Sequence, residues 1–150
     1  MNSITIMLPL AAGIATSACT IVVHALALNA IIHFVRHERR LGRAGVRFSI
    51  DVAVVAVAIM IALAAHLIEM ALWAVLFAVC GEFRDIGTSF YHSAVNYTTL
   101  GYGDIAMSRR WKLLAPLEAA DGMLMFGVST AMIFAVIQRL VQTRLADLQP

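Results

Sequence analysis

Charge is what this sequence has least of. From Met1 to Val35 there is no Asp, Glu, Lys or Arg, and only 13% of the 150 residues are charged. A soluble domain carries about a quarter, so the apolar excess must face lipid. The formal charge is only +2, which leaves no strongly basic face for nucleic acid. Cysteine is scarce as well. Cys19 and Cys80 lack the short Cys/His spacings of a zinc motif and form no disulfide framework. Both are expected as small buried apolar groups. Nucleophile–base and metal-ligand patterns of a catalytic site are also missing, so neither an enzyme nor an organic cofactor is expected.

What is present is apolar length: 61% hydrophobic residues and a mean hydropathy of +0.86. Crossing a ~30 Å hydrocarbon core takes about 20 apolar residues, and three runs qualify. The first covers 1–35. It is not a signal peptide, because MNSITIM has no basic start and the run exceeds a typical apolar region of about 15 residues. Ala18-Cys19 fails as a lipoprotein site for the same lack of basic residues. A basic loop, 36–47, follows, with Gly42 and Gly45. The second run, 49–81, contains Asp51, His66 and Glu69, and Ser49 and Asp51 suit a helix start. The third, 112–141, carries Glu118 and Asp121 early and is uncharged from Gly122 to Gln138. The tail, 146–150, is too short for a ligand-binding domain.

Orientation follows from counting basic residues. With the 36–47 loop inside, seven Arg lie on the cytoplasmic side. Arg84, Arg109, Arg110 and Lys112 lie outside. This agrees with the positive-inside tendency and places the amino terminus outside and the carboxy terminus in the cytoplasm.

Between the second and third spans, 82–112 is too polar to cross. Residues 88–97 predict a short helix with Thr88 as N-cap. Thr98-Thr99-Leu100-Gly101-Tyr102-Gly103-Asp104 follows directly. Irregular backbone at membrane depth is tolerated only where protein buries it or where it lines a watery cavity, so this segment predicts a re-entrant loop.

The seven-residue string resembles the pore signature of potassium channels, TVGYG, with Leu100 in place of Val. The resemblance covers the second span, the loop and the third span. It implies an all-α membrane fold with three transmembrane helices, a re-entrant pore helix (88–97) and a selectivity filter (98–104). Residues 48–145 would be the pore module, with 49–81 as outer helix and 112–141 as inner helix. Potassium would be held by the carbonyls of Thr99, Leu100, Gly101 and Tyr102 and by the Thr99 hydroxyl, with Gly103 at the outer entry. Thr98, Asp104, Asn96 and Tyr91 would support the filter. Leu100 and Tyr102 would turn their side chains away to pack on the short helix.

One such strand cannot surround an ion, so the implied assembly is a homotetramer in lipid, taking no substrate but monovalent cations. The source would be a bacterial inner membrane. The sequence departs from the family pattern at Val95, where some members carry Glu, and at Asn96, where many carry Thr. The alternatives are a weakly selective cation channel or a non-conducting regulatory subunit of a larger transport complex.

Ionisable residues at membrane depth are costly. His66 and Glu69 lie one turn apart on span two. They are candidates for a proton-sensitive gate element with Glu118 or Asp121. The plainer alternatives are a hydrogen-bonded packing network or a hydrated boundary Glu. His24, Asn29 and His33 in span one read as satisfied packing polars. No Arg repeat suggests a voltage sensor. Gly122 and Gly127 are either inner-helix hinges or points of close helix approach.

Overall fold

A computed structural model of the chain describes residues 3–45 and 47–146. It contains α1 (Ser3–Arg40), α2 (Phe48–Val79), α3 (Ile86–Tyr97) and α4 (Leu114–Ala146), and no strand among the described residues. The all-α expectation holds. Helices α1, α2 and α4 are long and apolar enough to cross a membrane. At 1.5 Å per residue the 32 residues of α2 reach about 48 Å. The 12 residues of α3 reach only about 18 Å, too short to cross a bilayer.

Helix ends differ from expectation for local reasons. The first span continues past Val35 to Arg40, because no Gly or Pro stands between Val35 and Gly42. There, φ of +64° and the Gly42 N–H bond to Arg39 O (3.0 Å) turn the chain away. Helix α2 stops at Val79 rather than 81. Gly81 takes φ +75°, its N–H reaches Ala78 O and the Glu82 N–H reaches Phe77 O, closing the last turn as a Schellman motif. Ser49 does not cap α2, since Arg47 occupies that position without a side-chain bond, whereas Asp51 stands in the first turn as expected and does not cap it. Asp51 instead accepts from Gly45 N at 2.6 Å and pairs with Arg144, tying the 41–47 turn to the end of α4. Helix α4 runs from 114 to 146, beyond the expected 112–141. Of the expected tail 146–150, residues 147–150 lie outside the described residues.

Helix α1 packs on α2 and α4 but not on α3, and α3 sits between α2 and α4. Two apolar clusters hold these contacts. Near the 41–47 turn, Ile31 and Val35 meet Val54, Ala58, Ala62, Val136 and Leu140. At the other end, Met70, Trp73 and Phe77 meet Tyr97, Trp111, Leu114 and Met125. Outward residues such as Ile21, Leu26, Leu63 and Leu67 are exposed, as suits a surface in lipid. The cysteine expectation is corrected: Cys19 is exposed and Cys80 half-buried, because each lies on a helix face that no other part of the chain fully covers.

Gly122 permits close helix approach. A Cβ there would collide with the Tyr97 carbonyl, whereas one at Gly127 would meet nothing within 4 Å. Gly122→Ala should therefore prevent α4 from seating against the end of α3, seen as a lowered unfolding temperature of the protein in detergent. Gly127→Ala should leave that seating intact and raise stability by about 0.5–1 kcal/mol, the helix-interior advantage of Ala over Gly.

Candidate functional site

The segment after α3 is built from the helix outward. Asp85 is the N-cap of α3 and accepts from Thr88 N (2.8 Å) and Thr88 Oγ1 (3.1 Å). Thr88 is therefore the capped residue, not the cap, because Asp85 has the extended backbone that a cap needs (φ −108°). At the other end of α3 the unpaired carbonyls are taken up by the following residues. Thr98 N reaches Ala94 O (3.2 Å), Thr99 N reaches Asn96 O (2.8 Å), and Leu100 N and Gly101 N both reach Val95 O (2.9 and 3.2 Å). Thr98 adds its hydroxyl to Ala94 O at 2.6 Å. The amides of 98–101 are thus all turned back to the helix.

Along the next residues φ alternates in sign. Thr99, Gly101 and Gly103 take +59°, +60° and +72°, and Leu100 and Tyr102 are not positive. In an ordinary strand successive carbonyls point to opposite sides. Reversing φ at every second residue turns every second peptide plane, so that successive carbonyls share one side. Glycine accepts this freely. Nothing crowds Gly103, and the nearest atom to a Gly101 Cβ would be 3.9 Å away, so the demand there is for handedness and not for space. Thr99 is β-branched at positive φ, a conformation that costs about 1–3 kcal/mol and is kept only where the surroundings impose it. The bond from Thr99 N to Asn96 O is such a restraint.

Carbonyls aligned in this way, beside a threonine hydroxyl, can take the place of water around a dehydrated cation. Residues 98–104 are all exposed on the single chain. On the single chain Leu100 is 55% and Tyr102 65% exposed.

Tyr91 donates its hydroxyl to Asp104 Oδ2 at 2.8 Å, which ties the far end of the segment to α3. That bond raises the Tyr91 phenol above its ordinary value. Asn96 reaches the segment through its backbone carbonyl; its side-chain Nδ2 donates to His92 Nε2 at 2.8 Å. Glu82 and Ser108 were not singled out in the sequence, yet they clasp the loop on both sides of the site. Ser108 N and Oγ each reach a Glu82 oxygen at 2.6 Å. Their separation of 26 residues offers no local pattern to find them by.

Behind the segment lies a buried polar layer between the two apolar clusters. Glu69 is its hub. His24 Nδ1 meets Glu69 Oε1 at 2.9 Å, His66 Nδ1 meets Glu69 Oε2 at 3.1 Å, and Tyr97 donates its hydroxyl to Oε2. Ser129 Oγ closes the ring at 3.1 Å from His66 Nε2 and 3.2 Å from His24 Nε2. The expected pairing of Glu69 and His66 with Glu118 or Asp121 is corrected: their direct partners are His24, Tyr97 and Ser129. A boundary Glu in water is also excluded, since Glu69 is 0% exposed.

Asp121 is held separately, by Thr20 Oγ1 (2.8 Å) and Trp73 Nε1 (2.9 Å). Glu118 meets Ser93 Oγ at 2.5 Å and leaves Oε2 buried without a partner. His24 was read as a packing polar; the structure makes it the contribution of span one to this ring.

A family model described as ion channel matches residues 64–139. Comparisons with characterised proteins and with solved structures gave no significant match. With three membrane-length helices, the chain is an integral membrane protein.

The cap generates a test. The bonds from Thr88 and Gly87 hold the Asp85 carboxyl below the usual aspartate range. A depressed folded value means that the cap's contribution is complete above the unfolded value and is lost as pH falls through the folded one. The protection factor of the Thr88 amide, its slowing relative to the intrinsic exchange rate at the same pH, should fall on acidification in the wild type. Asp85→Asn should abolish this change while keeping protection, and Asp85→Ala should show a low protection factor at every pH.

Proposed function

We propose that this chain, which belongs to the ion-channel family, is one of four identical subunits around a potassium-selective pore. The observation that carries the reading is the alternation of φ from Thr99 to Gly103, which supports a column of carbonyls facing one side. One strand offers oxygens from one direction only. Four copies around an axis would complete the coordination shell and form a closed ring.

In this reading potassium rests on the carbonyls of Thr99, Leu100, Gly101 and Tyr102 and on the Thr99 hydroxyl. Gly103 lines the outer entry and Asp104, fourfold at the mouth, concentrates cations. The carboxyl end of α3 lies beside the lower filter residues, and its dipole favours a cation that has shed water. Exposure of Leu100 and Tyr102 on the lone chain supports a neighbouring subunit that covers them. The 36–47 turn then lies in the cytoplasm of a bacterial cell, and the amino terminus lies outside.

Purified tetramers in liposomes test this directly. Rubidium uptake that barium blocks, with sodium flux far smaller, is the expected result. Equal sodium and potassium permeability would favour a weakly selective cation channel, and no flux from verified tetramers would favour a regulatory subunit. Gly103→Ala places a Cβ at φ +72°, which is strained whatever the space, and should abolish the current or its selectivity without preventing membrane insertion.

A further inference from the structure

His24, His66 and Glu69 converge from two helices at the middle of the bundle, each no more than 4% exposed. We propose that these three residues form a binding site for a divalent transition-metal ion of the zinc class, with the Tyr97 hydroxyl beside the fourth position.

The geometry fits such an ion. One ligand atom from each residue lies within 4.8 Å of the other two. The two imidazole–carboxylate separations are 2.9 and 3.1 Å. A tetrahedral zinc site, with bonds of about 2.0–2.1 Å, wants neighbouring ligand atoms about 3.3 Å apart, so small side-chain adjustments suffice. Tyr97 OH lies 3.3 Å from His66 Nδ1 and bonds to Glu69, which places a fourth oxygen against the same space. Two imidazoles and a carboxylate are a donor set for zinc-like ions, not for potassium, magnesium or calcium.

Hydrogen counting strengthens the assignment. The ring has four links: two from Nδ1 atoms to Glu69 and two from Nε2 atoms to Ser129 Oγ. Two neutral imidazoles and one serine hydroxyl supply only three hydrogens for these four links. A metal ion removes the deficit, as a proton on one imidazole also would, and counting the bound metal separates the two. With the ion between the two Nδ1 atoms and Glu69, each ring keeps one hydrogen, on Nε2, and both hydrogens point at the two lone pairs of Ser129. A ligating His held in its tautomer by an oxygen partner on the other nitrogen is the usual supporting arrangement. Asp121 lies close by. Its Oδ2 accepts from Thr20, one turn before His24, and from Trp73, one turn after Glu69, so it braces the same two helices that carry the ligands. The ion would pin α1 to α2 directly behind Tyr97, the last residue of the helix that carries the 98–104 segment.

The test counts metal and is independent of any current. Full-length protein in detergent is stripped with chelator, dialysed against Zn2+, and its zinc measured per chain, with Co2+ as the spectroscopic probe. One tightly held ion per chain and a tetrahedral Co2+ spectrum are expected. His33→Ala/His37→Ala, which removes the other neighbouring pair of histidines on α1, should retain both. His24→Gln and Glu69→Gln, which can still hydrogen-bond, should lose the ion. Ser129→Ala, which keeps all ligands, should bind about 10- to 100-fold more weakly. Zinc absent from the wild type, retained in His24→Gln, or lost instead in the His33/His37 variant overturns the site. If the Gln variants fail to assemble, an octahedral Co2+ spectrum in the wild type, or unchanged affinity in Ser129→Ala, overturns it equally.

Discussion

A carbonyl oxygen can stand in for water only if it has no other partner and if its neighbours point the same way. In the proposed filter two features serve these conditions. The amides of residues 98–101 are committed to the last carbonyls of α3, which holds the start of the segment against the helix. The alternation of φ at Thr99, Gly101 and Gly103 is what would bring successive carbonyls to one side. A strained Thr99 and two glycines follow from this constraint. So does the need to hold α3 firmly, because a helix that rotated would take the oxygens with it.

What holds α3 is a set of polar bonds, those of Ser93 and Tyr97 buried and those of Asp85 and Tyr91 exposed. Ser93 reaches Met70 O at 2.8 Å and also Glu118, so the middle of α3 is bonded to both α2 and α4. Tyr97 is bonded to Glu69 on one side and approached by Gly122 on the other. Asp85 and Tyr91 secure the start of α3 and the far end of the segment it carries. Apolar packing alone slides at modest cost. Directed bonds fix register, because a buried polar group left unpaired costs about 1–3 kcal/mol, and several would be left unpaired together if α3 moved.

The sequence shows the spans, the short helix and the seven-residue segment, because each depends on local information: an apolar run, a polar interruption, glycines at alternate positions. Helix ends were less legible. The carry-through to Arg40 and the stop at Val79 depend on which glycine takes positive φ, and Gly42 and Gly81 are indistinguishable in sequence from glycines that do not. The contacts of the polar layer were hidden for a different reason. His24 lies 45 residues from Glu69 and Ser129 lies 105 from His24, so no spacing rule joins them. Helical periodicity put His66 beside Glu69 but could not tell which of Glu118, Asp121 or His24 faced them across the interface.

That layer changes how the first helix is understood. An extra span could lie against the others through apolar contacts alone, and its lower half does so at Ile31 and Val35. Its upper half instead brings Thr20 and His24 to two different carboxylates, Asp121 of α4 and Glu69 of α2. Removing α1 would leave Glu69 without His24, and Asp121 without Thr20, inside a low-dielectric interior where unpaired polar groups are most costly. Glu69 is also the residue that receives Tyr97. Any displacement of α1 is therefore felt at the end of α3 through a single carboxylate, although α1 and α3 make no helix contact of their own.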